Sequence, residues 1–309
     1  MAIKSMSEKP KSAQPVSEQP TYETVTYATP SAGVAQITMN RPEMRNAQDL
    51  QMTYDLNDAF ERAAADAAIK VIILAGADPH FSAGHDLSGK SSKTWEDFSQ
   101  VTTWGSFDPP GAEGRYARES EIYLGMTERW RNIPKPTIAA VQGKCIAGGL
   151  MLAWACDIII ASDDAEFRDP VVEMGVCGVE FFAHPWEVGV RKAKELLFTA
   201  DWLRAEEAKQ LGMVNQVVPR DELLPTALAM AERIAQKPLF ALKLTKEAVN
   251  QTQDTMGRPT AMAQVFSLHQ LCHSHNVQVH GIPVDPGGLP ESMRGRFVKK
   301  TDHKGEAAE

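Results

Sequence analysis

Nowhere does the chain string together 18 apolar residues, so no segment reads as a membrane-spanning helix. Cysteine is scarce. Its four copies, Cys145, Cys156, Cys177 and Cys272, form no CxxC pair and no Cys/His metal spacing. That scarcity excludes a disulfide scaffold and a zinc module, and it fits reduced thiols in a cytoplasmic protein. A basic excess is also missing: 32 Lys and Arg stand against 40 Asp and Glu, for a net charge of -8. Nucleic-acid binding, which needs a basic face, is therefore not expected, although a local site can still attract an anionic small molecule. The opening stretch MAIKSMSEKPKSAQPVSEQP lacks the apolar core of a secretory signal. Its Ser, Pro, Lys and Glu predict a disordered tail over 1–20, and a second tail is predicted over 281–309.

What remains is ordinary globular composition, 43% hydrophobic and 23% charged, in a chain of 309 residues that can bury a sizeable core. TYETVTYAT and GVAQITMN flank the turn-like PSAG and predict a hairpin. Leu50, Tyr54, Leu56 and Phe60 recur near helical spacing, whereas VIILAG is a fully apolar strand. Residues 82–113 predict a loop holding one helical turn, and RESEIYLGMTERWRN a helix stopped by Pro134. TIAAVQG, GGLMLAWAC and DIIIAS follow as strand, helix and strand. This order predicts an α/β fold with buried strands. From Arg191 onward KAKELLF, LRAEEAKQLG, DELLPTALAMAERIAQ, LFALKLTKEAVNQT and AMAQVFSLHQLCHSH predict successive helices. The division is a core over 21–200 and a helical region over 201–280.

Gly148 and Gly149 open one of these helices, where each glycine costs about 1 kcal/mol of helix propensity relative to alanine. On its own the pair reads first as close packing of helix on strand. A helix N-terminus, however, also offers unpartnered N–H groups and the positive end of the dipole to an oxygen. A second stretch shifts the balance. VIILAG, FSAGHDL, VQGKCIAGGLMLAWACDIIIAS and AEFRDP, in that order, closely resemble the crotonase (enoyl-CoA hydratase/isomerase) family. NRPEMRNAQ and AEEAKQLGMVNQVVPRDEL resemble further segments of it, and the resemblance runs from about Tyr22 to His275.

The resemblance implies a ββα spiral core with C-terminal helices that assemble trimers or hexamers. It implies an acyl-CoA substrate, with coenzyme A entering as part of that substrate and no permanently bound cofactor. The backbone N–H groups of His85 and Gly148 would form the oxyanion hole for the thioester carbonyl. Arg45, Ala47, Ala83, Asp86 and Leu87 would line the coenzyme A path, with Lys90 near a phosphate. The usual hydratase carries two glutamates, one three residues after the oxyanion glycine and one after the proline of F-x-x-P-E. Here those positions are Met151 and Val171, neither of which can move a proton, and both become acyl-pocket candidates.

Two carboxylates flank Val171. Asp169 is either a base or a cap ahead of Pro170, and Glu173 is either catalytic or a surface residue. The side chain of His85 can act as acid or base near neutral pH, or contact coenzyme A. His184 is a candidate for the acyl-pocket wall, with Glu180, Phe181, Phe182 and Trp186 beside it. His269, His273 and His275 share a helical stretch but show no third partner in the sequence, so no metal is expected and they are assigned to the surface or an interface. GHDLSGKS at 84–91 fits the P-loop pattern, but no strand leads directly into it, so nucleotide hydrolysis is set aside. Two alternatives stay open: a non-catalytic acyl-CoA binder, and a crotonase-type isomerase or hydrolase with a different base.

Overall fold

A computed structural model describes residues 21–102, 104–289, 291 and 294; the tail expected over 1–20 and most of that over 281–309 lie outside the described residues. The predicted hairpin is formed by β1 (Val25–Ser31) and β2 (Val34–Met39), antiparallel with Val25 opposite Met39. The next helix, α1 (Leu50–Ala65), is capped by Asp49, whose carboxylate accepts from Met52 N at 2.9 Å. Its buried Met52, Leu56, Ala59, Phe60 and Ala63 recur every three or four residues, the period of one helix face. Asp55, buried on the same helix, accepts from Thr24 N and Oγ1 at 2.9 and 2.7 Å and ties down the start of the hairpin.

β3 (Val71–Gly76) is buried at all six positions, as a central parallel strand covered on both faces must be. The helix expected before Pro134 starts earlier and is not uniform. α2 (Ala112–Glu119) and α3 (Met126–Arg131) are joined by a π-helical turn over Ser120–Gly125. A β-carbon at Gly125 would fall 2.5 Å from Ser120 O, so the wider turn needs glycine there. Glu121, in that turn, is buried and accepts from Val101 N, Thr102 N and Tyr54 Oη, which fastens the preceding loop to α1.

β4 (Thr137–Val141) and β5 (Lys144–Ile146) lead into α4 (Gly148–Trp154), followed by β6 (Ile158–Ser162) and β7 (Glu166–Arg168). Then come α5 (His184–Glu187), α6 (Val190–Thr199), β8 (Leu203–Arg204), α7 (Ala205–Gln210) and β9 (Gln216–Val218). α8 (Leu223–Ala235), α9 (Leu239–Thr255) and α10 (Arg258–His280) complete the described elements. One sheet has six strands in the order β1-β2-β3-β4-β6-β9, and a second has three, β5-β7-β8. The strands of the second sheet are two or three residues long, too short to carry an alternation signal in the sequence.

The boundary expected at residue 200 does not separate two cores. β9 is the sixth strand of the main sheet, and Leu223, Ala227, Ala231 and Ala235 of α8 pack on Val34, Val71, Ile73 and Ile138. Residues 281–289 are likewise not a free tail: Asp285 N donates to Met174 O at 2.8 Å, and Leu289 is buried. Among the described residues no helix is long and apolar enough to cross a membrane.

Candidate functional site

Two turns meet at the C-terminal ends of β3 and β5. The first follows β3. Buried Asn46 braces it, donating from Nδ2 to Ala77 O and His80 O at 2.7 Å each while its Oδ1 accepts from Arg41 N. Ser82, fully buried, donates to Asn46 O at 2.8 Å and accepts from Gly84 N at 3.2 Å. Gly84 O and Asp86 N are both engaged by the backbone of Gln48. The N–H of His85, between them, has no acceptor among the described residues.

The second turn is held by Ala147, a non-glycine residue at φ 47° and ψ -111°. That rare conformation costs energy and persists because the surroundings impose it. Ala147 N donates to Arg168 O at 2.9 Å, and its own carbonyl accepts from Leu150 N. Gly148 is the first residue of α4, and its N–H likewise finds no acceptor among the described residues. A β-carbon at Gly84 would fall 3.1 Å from Gly148 N and 2.7 Å from Ile146 O, so glycine lets the two turns close on each other.

Both turns border a cavity of about 620 Å³. Arg45, Ala47, Ala83, Asp86 and Leu87 all line it, as does Val171. Burial raises the Asp86 pKa, but hydrogen bonds from Ser88 and Arg41 outweigh it and hold the carboxyl below its ordinary range. Glu173 also borders the cavity; its half-exposed carboxylate pairs with Arg168 at 2.7 Å. The stretch 84–91 leads into loop with only a short turn at Trp95–Asp97, which removes the strand-loop-helix geometry of a P-loop.

Four expectations are corrected. Asp169 does not line the large cavity. Its carboxylate accepts from Val171 N and Val179 N at 3.2 and 3.1 Å, and so closes the loop after β7. His184 lies behind it, also outside the cavity, with Nε2 2.9 Å from Asp169 Oδ2 but out of line for a hydrogen bond. Both border a separate void of about 20 Å³, too small for an acyl chain. Met151 is buried in α4 and does not reach the cavity either. Phe181 packs in the core beneath the Arg258 guanidinium rather than against the cavity.

A further correction concerns the histidines of α10. His269 and His273 are buried, not superficial, and line the cavity together with Glu119, Tyr123 and Glu180. The His85 ring stacks on Tyr123, 3.6 Å between centroids, with Nδ1 3.8 Å from Glu180 Oε1. Its Nε2 is buried without a hydrogen-bond partner among the described residues. Glu180 Oε1 and Glu119 Oε2 each lie 3.6 Å from His269 Nε2. Burial lowers the His269 pKa, but the two carboxylates outweigh it and raise it to about 9. Burial and the neighbouring His269 lower His273. Burial raises Glu119, yet the two imidazoles outweigh that and leave its carboxyl low. The i, i+4 spacing of His269 and His273 is visible in the sequence. Their partner Glu119 lies about 150 residues away on another helix, and only the fold brings it near.

The enoyl-CoA hydratase/isomerase family model matches residues 29–109 and 111–283. EchA13 of Mycobacterium tuberculosis, named as an enoyl-CoA hydratase, is 47% identical over 254 residues, which cover 80% of each chain. A crystal structure of a probable enoyl-CoA hydratase from Mycobacterium smegmatis superposes with a TM-score of 0.76 at 48% identity, covering 84% of this chain and 99% of that one. An enoyl-CoA hydratase/isomerase from Xanthobacter autotrophicus Py2 superposes with a TM-score of 0.74 at 31% identity, covering 93% and 100%. With its spiral α/β core and its two facing turns, the chain belongs to the enoyl-CoA hydratase/isomerase family.

Proposed function

We propose that the cavity binds an acyl-CoA thioester, with the carbonyl oxygen accepting from the N–H groups of His85 and Gly148. The observation that carries this reading is the contact of the two turns, each with an uncommitted amide, beside the cavity that His85 and Ala147 line. Two such donors stabilise the enolate that forms when a proton leaves the carbon beside the carbonyl, and each is worth about 3 to 4 kcal/mol. Arg45, Ala47, Ala83, Asp86 and Leu87 form the approach for the coenzyme A moiety.

Met151 and Val171 stand where the usual hydratase carries its two glutamates, so those two positions supply no acid or base. The proton is instead moved by Glu180, a buried carboxylate of the cavity wall that faces the His85 imidazole. A single base working against an oxyanion hole suits migration of a double bond. Asp169, committed to two backbone amides, is not that base. Glu173, paired with Arg168 at the edge of the cavity, contributes to binding. A panel of saturated and unsaturated CoA thioesters, followed by mass and by ultraviolet absorbance, tests the reading. Isobaric conversion lost in Glu180→Gln supports it. A mass gain of one water would mean hydration, and tight binding without conversion of any thioester would mean a carrier.

We also propose that α9 and α10 assemble a trimer or hexamer. Phe240, Leu244, Val249, Leu268 and Leu271 project exposed apolar side chains there, which a contact between copies of the chain would cover. Light scattering of the purified chain measures the state directly.

A further inference from the structure

Two imidazoles of α10 face each other with no hydrogen to share between neutral rings. His269 Nδ1 lies 2.7 Å from Gly178 O, and His273 Nδ1 lies 2.5 Å from Pro283 O. A carbonyl oxygen only accepts, so each Nδ1 carries the hydrogen and each neutral ring directs the lone pair of Nε2 inward. Those two Nε2 atoms are 2.9 Å apart. Lone pairs at that separation repel unless a positive centre lies between them, either a proton or a metal ion. Glu119 Oε2 lies 3.6 Å from one Nε2 and 3.7 Å from the other.

We propose that Glu119, His269 and His273 bind a divalent transition-metal ion of the zinc class in the wall of the cavity. Ligands of a tetrahedral zinc ion at about 2.0 to 2.1 Å sit about 3.3 Å from one another, and the three separations here bracket that spacing. Two neutral imidazoles and one carboxylate are a set that zinc accepts with a fourth position left open. Glu180 Oε1 also lies 3.6 Å from His269 Nε2. The supporting shell is also present. Both Nδ1–H groups donate to backbone carbonyls, which orients the rings as metal-bound histidines require. Gln270 Nε2 donates to Glu119, and Arg115 Nε donates to Gln270 Oε1 at 3.2 Å, so the carboxylate is oriented as well. The ion takes the place of the proton otherwise held on His269.

This inference does not rest on the thioester reading, because metal binding is measured without turnover. Untagged, chelator-stripped full-length chain is titrated with Zn²⁺ by calorimetry and with Co²⁺ by visible absorption. The expected result is one equivalent per chain, with the intense absorption of low-coordinate Co²⁺. His273→Gln and Glu119→Gln should each weaken binding more than about 100-fold, beyond the 10- to 100-fold typical of outer-shell changes. Circular dichroism of the stripped variants checks that they still fold. Binding far below one equivalent, binding equal in wild type and in folded variants, or binding abolished by cysteine alkylation would each overturn the assignment. The shared charge would then be a proton alone.

Discussion

A β-carbon placed on Gly148 would fall 2.5 Å from His85 Cδ2 and 3.3 Å from the His85 backbone nitrogen. The glycine that opens α4 is therefore also the floor on which the His85 ring lies. Gly148→Ala should push that ring off Tyr123 and narrow the gap between the two amides. The expected effect is a loss of about 100-fold in kcat/KM, the scale of one lost oxyanion donor, with the circular dichroism spectrum unchanged. Turnover within about twofold of wild type would contradict the placement of the carbonyl there.

Asp169 closes the loop after β7 through Val171 N and Val179 N, with His184 at its back. Asp169→Ala should leave two buried amides without an acceptor and cost about 2 to 4 kcal/mol. Urea unfolding should report this as a lower midpoint at an unchanged slope. If Asp169 were instead the base, Asp169→Asn would abolish turnover while leaving stability near wild type.

Arg41 is the brace behind the first turn. Its guanidinium donates to Ala47 O at 2.7 Å and to Asp86 Oδ2 at 3.0 Å. Asp86 is nearly inaccessible there, so removing its partner leaves a buried charge uncompensated. Arg41→Met should destabilise the chain by about 3 kcal/mol and raise KM for a CoA thioester more than it lowers kcat. Steady-state kinetics alongside thermal unfolding separate the two effects.

Glu187 on α5 carries a pH dependence. Burial raises its pKa to about 7 from an ordinary 4.5, against the opposing pull of Arg258 and Arg131. A carboxyl raised on folding binds more protons folded than unfolded between those values. Its contribution is therefore most favourable below pH 4.5 and is lost as pH rises through 7. Glu187→Gln should remove that loss and gain about 3 kcal/mol over wild type above pH 7. The two proteins should converge near pH 4.5, as read by denaturant midpoints across the range.

Elements with a sustained period were legible from the residues. The hairpin, α1, β3, β4, α4 and β6 follow from alternation, helical spacing or fully apolar runs. The short strands β5, β7 and β8 were not, because two or three residues pair only when another segment supplies the edge. The π-helical turn was also hidden, since neither Gly125 nor the buried anchor Glu121 shows in the apolar spacing of the segment. For the site, the glycine-containing turns and the cavity-lining Arg45, Ala47, Ala83, Asp86 and Leu87 carried a motif. Asp169 and His184 did not resolve, because sequence spacing cannot tell a side chain aimed into a cavity from one aimed at its own loop.

By itself the sequence determined the family and set methionine at 151 and valine at 171, because these depend on residue identity at ordered positions. Only the tertiary structure decided which charged groups meet in the cavity. His85, Glu119, Glu180, His269 and His273 come from four distant segments, and their convergence rests on α10 meeting α2 through Gln270 and Arg115 and meeting the loop before α5 through His269 and Gly178. Local periodicity reports which face of an element is buried. It carries no information on what that face is buried against, and the chemistry of this cavity depends on that.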